Sequence, residues 1–320
     1  MKGCQLLSYV AAMGFKFLVD AINKGRFTIA VKAARNRIFY KIFQYRGRVA
    51  GRSFAKELQD IGTTRVCFTI AFNTPWVIDA LTKAWETYRP GMDLVVIDNS
   101  TKDDARAQIA RICAIRKVPY FGLPNRREKH WSRSHGTAIT WTFHNVVSHL
   151  RPELFGFIDH DCFPVFAFSI PDSLAGKAVY GLVVRPTENF IYKSRKDDHQ
   201  WNLWAGFCFY RFAAVDGLKL NFEPRMDIGL DTGGANWPIL YSKLGEASIE
   251  VARREQEPIE LSGTLGLHEL LDGAFLHIGG SAYADKDTKY YRSFDHRKNL
   301  RNYIWDTYLG GSSGQIADDF

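Results

Sequence analysis

Two aspartates one residue apart, Asp159 and Asp161, come directly after the apolar run 154–158. Where a buried strand ends and the chain turns, carboxylates at that spacing can both reach one hard cation. Mg2+ and Mn2+ take such oxygen ligands and keep positions for water or phosphate oxygens. A cation held there neutralises charge on a departing diphosphate. A second carboxylate, Asp98, ends the run 93–97. At a strand end it can accept hydrogen bonds from a ribose or a base, or it can cap the next helix. Asp98 lies nearest the strand, so ligand binding is assigned to it and capping to Ser100 or Thr101. The segment 125–136 is rich in cations, Arg133 among them, and precedes a helical stretch. Arginine and helix N-termini both suit phosphate, although a solvated charged loop has the same composition.

These groups need a scaffold that brings them together. The run 66–72 is short and continuously apolar, as in a parallel strand covered on both faces. Asn73-Thr74-Pro75 then breaks it and can start a helix over 76–88. Further strands are expected at 93–97, 118–121 and 154–158, with helices over 102–116 and 134–150 between them. This alternation predicts an α/β fold with a mostly parallel sheet. Ligands in such sheets bind beyond the carboxyl ends of the strands. Asn73, Asp98 and the Asp159/Asp161 pair should therefore open onto one rim.

Composition narrows the class. The chain has 320 residues, 46% of them hydrophobic and 14% aromatic, which excludes a disordered chain. Its five cysteines are scattered and fit neither a structural zinc site nor a disulfide scaffold, which points to a reducing cytosol. The net charge of +8 is concentrated at the start. Residues 1–60 carry 12 Lys or Arg against three acids, so the remainder is close to neutral. No run approaches the ~20 apolar residues of a spanning helix. Leu6, Val10, Met13, Phe17 and Ala21 fall on one helical side. Val31, Ala34, Ile38 and Ile42 form a second stripe flanked by Lys32, Arg35, Arg37 and Lys41. A basic amphipathic segment of this kind lies in an anionic membrane interface, or it packs on the body with its cations in water. No base-reading motif accompanies the charge, so nucleic acid is not expected as a partner.

The stretch 66–161 resembles the nucleotide-sugar half of GT-A fold glycosyltransferases, close to the family-two type. The residues that carry the likeness are Thr69-Ile70-Ala71-Phe72-Asn73, Val95-Val96-Ile97-Asp98-Asn99-Ser100 and Phe157-Ile158-Asp159-His160-Asp161. The resemblance covers about 100 residues well and the next 120 loosely, and its force lies in the order and spacing of motifs that are weak singly. It implies a GT-A, Rossmann-like sheet and a nucleotide-sugar donor. Phe72 and Asn73 would contact the nucleotide, Asp98 the uridine or ribose, and Asp159 and Asp161 a Mn2+ or Mg2+ ion with the diphosphate.

Beyond that half, Trp204-Ala205-Gly206-Phe207-Cys208-Phe209-Tyr210-Arg211 is similar to the family's small-residue strand beside the acceptor. Gly206 would let a sugar approach the backbone, or would merely relieve packing. The resemblance implies an acidic base where Asp231 stands, at the start of a helix-like stretch, although the usual Glu-Asp pair reads Leu230-Asp231 here. If configuration is inverted, Asp231 deprotonates the acceptor hydroxyl; if it is retained, Asp231 only orients the acceptor. Asp231-Thr232-Gly233 also spells an aspartic-protease triplet, but that chemistry needs two carboxylates sharing a proton, and its fold is nearly all β. His277, in the late strand 274–278, would be the third metal ligand by the same resemblance. His160 should point away from the carboxylates if the segment is extended.

The expected organisation is a basic helical extension over 1–60, a GT-A domain over 61–310 with halves 61–165 and 166–310, and a flexible tail over 311–320. The expected activity is metal-dependent transfer of a sugar to a glycan or lipid-linked acceptor by a cytoplasmic protein, peripheral on the inner face of the membrane. A nucleotidyltransferase would show a glycine-rich loop after the first strand, where this chain has Phe72-Asn73-Thr74-Pro75. An inactive membrane-associated binding protein of the same fold would have no need of Asp159 and Asp161.

Overall fold

A computed structural model describes residues 26–124, 131–186, 199–261, 263–282 and 294–317. The chain forms two compact units, 1–46 and 47–320. In the first, helix α1 spans Arg26–Tyr45; the stripe read over Leu6 to Ala21 lies outside the described residues. The second opens with helix α2, Arg48–Asp60, whose Phe54, Ala55 and Leu58 are buried. The division therefore falls at residue 46, and α2 belongs to the larger unit rather than to the extension.

The larger unit is built on a seven-stranded sheet in the order β3-β2-β1-β4-β7-β6-β8. Its strands are β1 (Arg65–Ala71), β2 (Asp93–Asp98), β3 (Tyr120–Gly122), β4 (Leu154–Asp159), β6 (Val179–Val184), β7 (Asn202–Arg211) and β8 (Ile249–Val251). Only β7 runs against its neighbours; the other pairings are parallel. Strand β1 lies between β2 and β4 and is buried from Val66 onward. Burial on both faces is why its sequence is continuous rather than alternating. Helices α3 (Pro75–Tyr88), α4 (Asp103–Arg116), α5 (Trp131–Thr142) and α6 (Phe294–Tyr308) complete this α/β architecture, which is the one the resemblance implied. The expected helix over 134–150 is α5, prolonged by a π-helical turn at Phe143–Val147.

A second sheet of four antiparallel strands has the order β5-β11-β10-β9: β5 (Cys162–Pro164), β9 (Arg254–Leu261), β10 (Thr264–Leu271) and β11 (Phe275–His277). The chain passes from β4 in the large sheet to β5 in the small one through a turn at His160 and Asp161. In the small sheet Cys162 pairs with His277. This crossing of sheets, invisible in the local sequence, puts a late histidine opposite the Asp159–Asp161 turn.

The tail departs from expectation. Asp79, in the middle of α3, is 1% exposed. One carboxylate oxygen is bonded by Arg116 at 2.6 and 3.1 Å. The other accepts from the backbone N–H groups of Ile316 at 2.5 Å and Ala317 at 2.9 Å, and Arg116 also donates to the Gly314 carbonyl at 2.8 Å. Residues 314–317 are thus docked by a buried carboxylate that needs donors. Truncation after Gly310 should cost about 3 kcal/mol, from hydrogen bonds to charged groups, and lower Tm by roughly 5–10 °C. An unchanged melting curve would show that these bonds contribute nothing.

A candidate metal centre at the strand ends

Asp159 is the last residue of β4, Asp161 sits in the turn before β5, and His277 ends β11. One ligand atom from each lies within 4.8 Å of the other two, the one such group among the described residues. Three donors at ~2.1 Å from a shared ion lie at most ~4.2 Å apart, so small side-chain adjustments let all three bind. Two carboxylate oxygens and an imidazole nitrogen suit Mn2+ and are acceptable to Mg2+.

The surroundings orient the set. Nδ1 of His277 lies 2.9 Å from Glu269 Oε2, across the β10–β11 register pair Glu269↔His277. With that nitrogen donating to Glu269, Nε2 faces Asp161 Oδ1 at 3.6 Å. A carboxylate behind a ligating histidine is the usual means of setting its tautomer and raising its basicity. On the other side, His135 of α5 places Nε2 3.4 Å from Asp159 Oδ1. His160 lies in a turn rather than the extended segment on which its expected direction depended, and its Nδ1 is 3.0 Å from the Ile70 carbonyl of β1.

Electrostatics favour a cation here. Burial raises the pKa of Asp161 and the charge of Asp159 raises it further, against the opposing pull of His277 and His160. Burial alone would lower the pKa of His277, but the hydrogen bond to Glu269 and the charges of Asp161 and Asp159 outweigh it and raise it. Without a metal, the imidazole's own proton supplies the positive charge that two neighbouring carboxylates demand.

Gly206, on β7 beside the end of β4, fits the second of its two expected roles, the relief of packing. A Cβ built on it would lie 2.4 Å from Asp159 Oδ2 and 2.5 Å from Trp204 Cζ2. The space belongs to a protein carboxylate. Trp204, two residues earlier on the same face of β7, is half-buried, and its ring centroid is 4.7 Å from that of His277.

The nucleoside-binding expectations fare differently. Asp98 is fully buried. Its Oδ1 accepts from the Ser100 N–H at 2.7 Å and its Oδ2 from the Tyr120 hydroxyl at 2.8 Å. Arg106 Nε is 4.0 Å from Oδ2. Asp98 thus organises the loop after β2 and presents no carboxylate oxygen at the rim. Asn73, in the left-handed region at φ 53° that Asn tolerates, bonds Thr101 Oγ1 through Nδ2 and accepts from the N–H groups of Thr101 and Lys102 through Oδ1. Its amide is committed to tying β1 to the start of α4. Phe72 is half-buried beside it, and Arg133 is half-buried in the first turn of α5. Residues 125–130, which hold the other cations of that loop, lie outside the described residues.

Asp231 is half-buried, with Oδ1 3.3 Å from Thr232 Oγ1. It precedes a single 3-10 turn, Gly234–Asn236, rather than the expected helix. The segment docks beside β7: Asn202 Nδ2 donates to the Thr232 carbonyl at 3.1 Å.

Sequence reasoning missed Glu269 and His135 as neighbours of the metal ligands, and placed Trp204 only in the strand beside the acceptor. Glu269 and His277 are paired by strand register, a signal that appears only once β10 and β11 are recognised as a hairpin.

No family model matches the chain, and no curated protein matches it. Among solved structures, S. aureus TarS is similar over 51% of this chain and 31% of its own, at 14% identity and a TM-score of 0.34. Glucosyl-3-phosphoglycerate synthase from Mycobacterium tuberculosis, in complex with Mg2+ and uridine-diphosphate, is similar over 62% of this chain and 72% of its own, at 16% identity and a TM-score of 0.38. The same synthase with Mn2+, uridine-diphosphate-glucose and phosphoglyceric acid gives 60% and 70%, at 14% identity and a TM-score of 0.37. The chain therefore spans about a third of the first of these proteins. Likenesses this distant concern the backbone, and no chemistry follows from them.

Proposed function

We propose that this protein is a glycosyltransferase that moves a sugar from a nucleoside diphosphate donor to an acceptor hydroxyl, with a divalent cation. The observation that carries the proposal is the convergence of Asp159, Asp161 and His277 within 4.8 Å where the end of the parallel strand β4 meets the second sheet. A Mn2+ or Mg2+ ion bound there would neutralise the charge that develops on the leaving diphosphate. Asp159 and Asp161 hold the ion, Glu269 fixes the tautomer of His277, and Gly206 keeps the place of Asp159 open. Asp231, carried beside β7, accepts the acceptor's proton if the reaction inverts configuration. The rim at β1 supports this reading over nucleotidyl transfer. The loop that follows β1 reads Phe72-Asn73-Thr74-Pro75 and holds no glycine, where nucleotidyl transfer would use a glycine-rich phosphate loop.

Incubation of the wild-type protein with a panel of nucleotide sugars and Mn2+ tests the proposal. Stabilisation by at least one of them, with metal-dependent release of its nucleoside diphosphate, is expected. If no member of the panel stabilises the protein or is consumed, the proposal fails.

The same reading includes attachment of α1 to an anionic membrane surface, which would bring a lipid-linked or surface glycan acceptor within reach. Among the described residues no helix is long and apolar enough to cross a membrane. Ile38, Phe39 and Ile42 of α1 are 60%, 57% and 52% exposed, with the exposed cations Arg35 and Lys41 on either side. No acid occurs between Asp20 and Glu57. Apolar side chains in the acyl boundary with cations at headgroup level form an interfacial helix. Vesicles of phosphatidylglycerol and phosphatidylcholine should sediment the protein. Ile38→Asp with Ile42→Asp should weaken that binding at least ~10-fold, since each isoleucine contributes roughly 1.5–3 kcal/mol when buried. Equal binding by the double variant would remove α1 from the account.

A further inference from the structure

We infer that His135 is a positioning residue: its imidazole holds the carboxylate of Asp159 in the orientation in which that group binds the cation. The inference rests on the metal-centre reading above and adds to it a residue outside the ligand set.

The three ligands are not held alike. His277 is braced by Glu269 at 2.9 Å. Asp161 has 5% of its side chain exposed, and its carbonyl accepts from the Ile278 N–H at 3.0 Å, which ties the turn to the end of β11. Asp159 is the most open of the three, with 22% of its side chain exposed. Among the described residues no hydrogen bond fixes its carboxylate. Two neighbours flank it instead. Gly206, lacking a side chain, leaves room for Oδ2, and His135 places Nε2 3.4 Å from Oδ1. A carboxylate that turns freely about its last bond loses that freedom on binding an ion. A donor already set beside it removes part of that cost, as groups behind metal ligands commonly do.

Such a donor needs a rigid support, and the first turn of α5 provides one. Ser134 Oγ accepts from Asn99 Nδ2 at 3.0 Å, which fastens the turn to the loop after β2. The Ser132 carbonyl accepts from Thr232 Oγ1 at 3.3 Å, on the segment beside β7. Gly136 packs so closely that a Cβ on it would lie 2.3 Å from the Phe222 carbonyl oxygen. The residues on both sides of His135 are thus tied to three separate parts of the domain, and the ring reaches β4 from a fixed base.

The chemistry of the ring suits the place. With its proton on Nε2, a neutral imidazole offers an N–H to Oδ1 and brings no permanent charge. A lysine or arginine at this position would pair with Asp159 and repel the arriving cation. The separation of 3.4 Å is slightly longer than that of a closed hydrogen bond, which leaves Asp159 the small movement that ligation requires. The ring nitrogen itself stands outside the group of ligand atoms that lie within 4.8 Å of one another.

Mn2+ binding by the full chain, followed by electron paramagnetic resonance without donor or acceptor, tests this. His135→Ala should raise the Kd for Mn2+ at least ~10-fold, the usual consequence of removing a group that orients a ligand. His135→Leu, which keeps the bulk and lacks the N–H, should be as weak, so the comparison survives if the alanine variant fails to fold. His135→Gln carries an amide N–H that can stand where Nε2 stands, and it should bind within about threefold of the wild type. Melting in EDTA should differ among folded variants by no more than about 3 °C. Electron spin-echo spectroscopy of the wild-type Mn2+ complex should show coupling to one bound imidazole, and this arm needs no variant.

Unchanged Mn2+ binding in His135→Leu overturns the inference and leaves the metal centre standing. So does a glutamine variant as weak as leucine, which would make the ring's contribution one of packing. Coupling to two imidazoles in the wild type also overturns it, by making His135 a ligand. A wild-type protein that binds no Mn2+ ends both this inference and the metal-centre reading.

Discussion

Asp161→Ala should abolish measurable Mn2+ binding and reduce sugar transfer by at least ~10^3-fold, while the protein still folds. The size follows from what the carboxylate does. It is 4% exposed, and its ligand atom lies within 4.8 Å of those of Asp159 and His277. Removing it deletes one of three protein ligands and the deeper of the two charges that draw a cation into the site. Loss of one electrostatic contact to a developing charge commonly costs 10²–10³ in rate, and loss of the cation removes several kcal/mol more. Stability should move little. The change ends the repulsion between Asp161 and Asp159 but also takes a counter-charge from His277, and these effects oppose each other. Electron paramagnetic resonance of free and bound Mn2+ reads the first effect and a donor-consumption assay the second. Transfer that survives in a variant unable to bind Mn2+ would remove the metal centre from the mechanism.

The second large effect belongs to a residue with no functional group. Gly206→Ala should raise the Kd for Mn2+ at least ~10-fold and lower transfer ~100-fold or more, at a stability cost of about 1–3 kcal/mol. The added methyl would fall 2.4 Å from Asp159 Oδ2, inside any permitted contact, and 2.5 Å from Trp204 Cζ2. Either the carboxylate swings off the ion or the indole moves and takes the neighbouring His277 with it. Asp159→Asn in the same assay gives the comparison, since it removes the charge without displacing the ring. If Gly206→Ala binds Mn2+ as the wild type does, the carboxylate has room to spare and the close approach has no consequence for the site.

Asp159 and Asp161 were legible because a continuous apolar run predicts a buried parallel strand, and such strands offer their ligands at the carboxyl end. The order of β1, α3, β2, α4, β3, α5 and β4 was readable for the same reason, with boundaries displaced by a residue or two except at α5, which starts three residues early and gives way to the π-helical turn after Thr142. Asp98 was harder. Local spacing could not separate a ligand-binding carboxylate from a loop-organising one, and the choice was made by Tyr120 on β3 and Arg106 on α4, which meet Asp98 only in the folded sheet. The tail misled for a similar reason. Residues 311–317 are rich in Gly and Ser and read as mobile, yet Asp79, some 237 positions earlier, needs their backbone donors.

By itself the sequence determined the class of fold, the buried strand that the acidic pair follows and the location of the excess positive charge. All of these depend on periodicity, strand burial and composition, which act between residues close in the chain. Only the tertiary structure decided that Glu269 stands behind His277, that Gly206 makes room for Asp159 and that Asp98 is turned inward. Those outcomes depend on the register of strands far apart in sequence and on which buried polar atom finds which partner. That competition is settled by the packed interior as a whole, because a buried charge takes the nearest suitable donor in space, whatever its place along the chain.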